Sequence, residues 1–136
     1  MKKFIYIFIC ILFLCHSVFA KTENNNDNID WMPFYNDTIN RIQYSTKLLQ
    51  PEQDVSGRVD ILFSIDKKGK MTKIAVKKSS GNKYIDDLGI QAVKNSAPFK
   101  PLPKEFKDNE VDFAVPLVFS HWQRKLYEKA HPEWYK

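Results

Sequence analysis

Residues Gly57–Asp66 (GRVDILFSID) alternate without a break: Val59, Ile61, Phe63 and Ile65 fall on one side, Arg58, Asp60, Leu62 and Ser64 on the other. A period of two suits an extended strand with one face buried. The polar turn Asp66-Lys67-Lys68-Gly69-Lys70 follows, with a glycine available for positive φ. The chain then returns over Met71–Ser79, with Ile74 and Val76 inward. A hairpin with one apolar face cannot stand alone in water. The rest of the chain must supply its cover.

Three more segments can do so. A helix is predicted from Lys83 to Ala97, capped by Asn82. Asp86 and Asp87 suit the positive end of its dipole, and Ile85, Leu88, Gly89, Ala92, Val93 and Ser96 form its inner face. Pro98 ends it and opens the segment PFKPLP, Pro98–Pro103. Val111–Phe119 reads as a third strand, with Val111, Phe113, Val115, Leu117 and Phe119 facing in. Upstream, a helix is expected from Thr38 to about Leu49, with Asn36 or Asp37 as N-cap and Ile39, Ile42, Thr46 and Leu49 on one face. Pro51 stops it, and the apolar cluster Trp31–Tyr35 before it is expected to dock. A last short helix, Trp122–Ala130, is broken by Pro132.

The predicted fold class is therefore α+β: a three-stranded antiparallel sheet with two helices on one face, plus a short C-terminal helical tail. The hairpin pairs the first two strands, and the helix after it carries the chain across the sheet. The third strand then lies on the other side of the first, giving the order second-first-third. The covered face would be lined by Val59, Phe63, Ile74, Val76, Phe113 and Leu117, with Phe63 and Phe113 buried against Leu88 and Val93.

Met1–Ala20 has a basic start (Lys2, Lys3), an apolar run from Phe4 to Leu14, and Val18 and Ala20 at its end. That layout reads as a secretory signal peptide cleaved after Ala20. The alternative is an uncleaved inner-membrane anchor, because counting on to Phe19 brings the run near the lower length limit of a membrane span. Both cysteines, Cys10 and Cys15, lie in this leader, so the mature chain would hold no disulfide and no thiolate. Its removal lowers the formal net charge from +5 to +3. A bias that mild is no nucleic-acid footprint. Lys21–Asp30 (KTENNNDNID) is polar and Asn-rich, a disordered tether. The expected organisation is a leader over 1–20, a tether over 21–33, one domain over 34–119 and a basic aromatic tail over 120–136.

Reactive constellations are missing. His121 and His131 lie ten apart across a proline, without metal-ligand spacing. Ser79-Ser80-Gly81 lacks a nucleophile elbow around it and reads as a strand-to-helix turn. Asp86 and Asp87 diverge by about 100° on a helix and do not converge on a substrate. The four glycines make no phosphate loop. No catalytic residue, metal site or cofactor is assigned.

Surface chemistry remains. In a sheet of this order the second and third strands are both free edges, open to pairing with another strand. The second carries Lys73, Lys77 and Lys78, which discourage it. The third carries Pro116, whose missing N–H must point to the free side. By alternation, Asp112, Ala114, Pro116 and Val118 turn their backbone outward, while Val111, Phe113, Val115 and Leu117 bond to the first strand. Two readings stay open: protection against aggregation, or a docking strand with a built-in end.

The pieces GRVDILFSIDKKGKMTKIAVKKSSG, DDLGIQAVKNSAPFKPLP and VDFAVPLVF together resemble the C-terminal domain of the TonB/TolA family, the periplasmic end of envelope energy transducers. The resemblance implies the same architecture, no enzymatic activity and a periplasmic location, or the periplasmic face of the inner membrane if the leader is retained. It implies that the last strand accepts an extended peptide from an outer-membrane receptor or another envelope protein. The candidate partner-binding residues are then Val111, Asp112, Phe113, Ala114, Val115, Pro116 and Leu117. An anchored form would work with a membrane-motor complex, and a structural envelope module without a strand-addition partner is a further alternative. The Tyr-Pro pair that TonB-like proteins carry before the first strand is absent; Thr46–Pro51 (TKLLQP) stands there, which leans toward the TolA-like side. The tether of about 13 residues reaches at most about 45 Å.

Overall fold

A computed structural model describes residues 29–136; the leader and most of the tether lie outside the described residues. The element order is α1 (Met32–Leu48), β1 (Ser56–Asp66), β2 (Met71–Lys78), α2 (Lys83–Ser96), β3 (Glu110–Ser120), α3 (His121–Ala130) and a 3₁₀ turn at Pro132–Tyr135. The sheet has three antiparallel strands in the order β2-β1-β3, as the alternation pattern and the crossover helix require.

The central strand carries the core. Val59, Ile61 and Ile65 are wholly buried and Phe63 nearly so. All six inner-face residues expected on α2 are buried. Gly89 shows why that helix sits where it does: a Cβ there would come within 2.6 Å of Val59 Cγ1 and 3.2 Å of Ile61 Cδ1. The helix backbone therefore rests directly on the first half of β1. The second half is covered by rings. Phe63 stacks on Phe99 and Phe113, with centroids 5.6 Å apart in both pairs. Phe99 and Leu102 of the PFKPLP segment are buried, and their N–H groups donate to Gly69 and Lys67 carbonyls of the hairpin turn. Gly69 has φ +85°, and a Cβ on it would strike the Phe99 carbonyl oxygen at 2.2 Å.

Three expectations need correction. The first helix begins at Met32, not Thr38, and neither Asn36 nor Asp37 caps it. Pro33 is tolerated in the first turn, where no intrahelical N–H bond is lost. Phe34 is buried and Trp31 packs edge-on against Phe34 and Phe106, so tertiary burial extends the helix backward. Asp37 instead pairs with Arg41 at 2.9 Å and Lys100 at 3.1 Å. Secondly, Val76 is exposed although it faces the helical side opposite Ile61, because β2 is an edge that the helices leave uncovered. Thirdly, Phe113 is only partly buried and its ring neighbours are Phe34 and Phe63, where Leu88 and Val93 were expected.

Candidate partner-binding edge

β3 pairs with β1 in one unbroken register from Ser56↔Ser120 to Asp66↔Glu110. The ends of this ladder reveal which backbone groups turn which way. The Asn109 carbonyl accepts from Lys67 N at 3.1 Å, and His121 N donates to the Val55 carbonyl at 3.1 Å, so odd-numbered residues face β1. On the other side, Ser120 N donates to Gln50 Oε1 at 2.8 Å, and Gln50 Nε2 reaches the Val118 carbonyl at 3.5 Å. Even-numbered residues therefore turn their N–H and C=O away from β1. Pro116, opposite Asp60, obeys the same rule.

Val111, Asp112, Phe113, Ala114, Val115, Pro116 and Leu117 thus lie on a single edge strand. Val115 and Leu117 are buried, Val111 and Phe113 half-buried, and Asp112, Ala114 and Pro116 exposed. Asp112 accepts a 2.5 Å hydrogen bond from the Ser64 hydroxyl across the open face of the sheet. Beside it Glu110 accepts from Lys73 and Thr72 at 2.5 and 2.9 Å. The Lys73 ammonium holds the Glu110 carboxyl below its usual range, and Glu110 in turn raises the Lys73 ammonium.

Gln50 is the residue that sequence reasoning missed. It is almost wholly buried, and its amide bridges Val118 and Ser120 as a neighbouring strand's peptide would. Nε2 also donates to the Thr46 carbonyl at 3.0 Å, and the Gln50 carbonyl accepts from Arg124 Nη1 at 3.1 Å. Its position one residue before Pro51 gives no local signal of that role, because the partners lie 68 and 70 positions away. A groove of about 170 Å³ opens at this point, between Gln43 and Lys47 of α1, Pro116 and Val118 of β3, and Gln123 and Tyr127 of α3. Among the described residues, the unpaired part of the edge therefore runs along Asp112 and Ala114, meets Pro116, and closes at Gln50.

The other sequence candidates go elsewhere. Ser79, Ser80 and Asp86 form a closed turn: Asp86 accepts from the Ser79 hydroxyl (2.5 Å), the Ser80 N–H (2.8 Å) and the Ser80 hydroxyl (2.7 Å). Burial pushes the Asp86 carboxyl up, but these three bonds outweigh it and hold it below the ordinary range. Asp87 pairs with Lys83 at 2.6 Å. His121 Nδ1 lies 3.1 Å from the Pro51 carbonyl, while His131 stacks on Trp134. Among the described residues, no group of three or more His, Cys, Asp or Glu side chains is placed to hold a metal ion. No helix among them is long and apolar enough to cross a membrane.

Residues 49–121 match a family model described as the C-terminal region of Gram-negative bacterial TonB protein. None of the curated proteins matches the chain. Among solved structures, the chain is similar to the NMR solution structure of the Helicobacter pylori TonB C-terminal domain, residues 179–285. The identity is 20% and the TM-score 0.49, over 74% of this chain and 92% of that one.

Proposed function

The chain belongs to the TonB C-terminal family, and from that premise we propose that it binds an envelope protein by strand addition to β3, without catalysing a reaction. A TonB-like role in the cell envelope follows from the family itself. One observation carries the finer reading: the even-numbered backbone of β3 faces away from β1, and beyond Pro116 the Gln50 amide takes up those outward groups. An unpaired edge of defined length is what an added strand needs. In this reading residues 34–119 are the binding domain, with Val111–Leu117 as the contact strand. The protein works in the periplasm after loss of residues 1–20; its partner is an outer-membrane receptor or a periplasmic protein.

Main-chain bonds would supply most of the affinity, so removing a donor on the free side matters more than changing a side chain. Ala114→Pro removes an outward N–H and takes no bond from β1. The test is a pull-down from envelope extract with wild type, Ala114→Pro and Asp112→Ala, each shown to be folded by circular dichroism. Wild type and Asp112→Ala should capture the same partner and Ala114→Pro should not. A folded Ala114→Pro protein that still captures it would sink strand addition at this edge.

A further inference from the structure

Helix α3 is packed with its polar side inward. Arg124 turns toward the domain, bonding the Gln50 carbonyl and Glu128 and lying 4.6 Å over the Tyr135 ring. Gln123 and Tyr127 line the groove beside β3. The opposite side carries Trp122, 67% exposed, and Leu126, 46% exposed, one helical turn apart. Lys125 and Lys129 are exposed alongside them, with no carboxylate within ion-pair distance among the described residues. The helix is held at its start by His121 N on the Val55 carbonyl, and the 3₁₀ turn that follows it is held by the Tyr135 hydroxyl on the Lys47 carbonyl. Trp122 and Leu126 thus project from a fixed support.

We propose that this face of α3 docks on an anionic lipid bilayer. Trp122 and Leu126 enter the headgroup boundary, and Lys125 and Lys129 meet the lipid phosphates. An indole has an apolar body and one N–H donor, which suits a boundary that is apolar on one side and wet on the other. The two unpaired ammonium groups supply the complementary charge. That charge also argues against a second copy as the occupant, because self-association through this face would gather four ammonium groups with no carboxylate on the face to offset them. With two apolar side chains and two lysines, the attachment is weak, reversible and salt-sensitive. It would hold the β3 edge close to a membrane surface without an inserted segment.

The test uses the full chain with vesicles of phosphatidylglycerol and phosphatidylcholine in equal parts, and with phosphatidylcholine alone. In a Trp31→Phe/Trp134→Phe variant Trp122 is the sole tryptophan, so quenching by brominated lipid reports that residue whatever the leader does. Quenching is expected with the anionic vesicles only, and should fade as salt is raised. Trp122→Ala/Leu126→Ala and Lys125→Glu/Lys129→Glu, made in the otherwise wild-type chain, should each weaken vesicle flotation by about tenfold or more. Absence of quenching, equal quenching on phosphatidylcholine, or flotation unchanged in both double variants would overturn the proposal. So would a photocrosslink from position 122 to an envelope protein without vesicle binding, which would give this face to a protein partner.

Discussion

Gln50 stands where the next strand's peptide would, and its worth comes from being buried with both ends of its amide bonded. A glutamine before a proline carries no such message in sequence; only the arrival of Val118 and Ser120 beside it creates the role. Gly89 is the converse case. It stands mid-helix on the predicted inner face, and the structure puts Val59 where its side chain would be. Gly89→Ala should destabilise the domain by about 1–3 kcal/mol despite the better helix propensity of alanine, because the clash is with a β-branched side chain held in the core. Urea melts measure this. A more stable Gly89→Ala protein would mean that α2 and β1 separate freely.

At the scale of elements, β1, α2 and β3 were legible because each obeys one period over its whole length in sequence and is bounded by turn or capping residues. The start of α1 was not, because Phe34 and Trp31 extend it by packing, which outweighs the local capping signal of Asn36 and Asp37. The β2-to-α2 junction joins local and long-range effects: Asn82 caps Tyr84 N while Asp86 ties down Ser79 and Ser80. Since the folded Asp86 carboxyl sits below its ordinary value of 3.8, its contribution is present above that pH and is lost as pH falls through the folded pKa. Asp86→Asn should therefore cost about 1 kcal/mol near neutral pH. Thermal melts should show the gap between variant and wild type closing below about pH 4. A gap that stays constant down to pH 2 would show that the carboxylate charge plays no part.

For the molecule as a whole, the tail is part of the folded body: Tyr44 and Tyr127 pack against Trp134, and Arg124 lies over Tyr135. Those rings are occupied within the chain, which leaves Trp122 as the exposed aromatic of α3. The basic start, short apolar run and Val18/Ala20 pair predict export and cleavage. N-terminal sequencing of the protein from envelope fractions should begin at Lys21, whereas recovery of Met1 in the membrane fraction would establish the anchored form. The sequence alone determined the strand order, the inward faces of β1, α2 and β3, and the outward turn of Pro116, because period, connection length and the chemistry of proline are local properties. Tertiary structure decided the start of α1, the exposure of Val76, the capture of the β3 edge by Gln50 and the inverted packing of α3. Each of these depends on which surfaces meet, and residues such as Gln50 and Ser120, 70 positions apart, become partners only when the sheet is assembled.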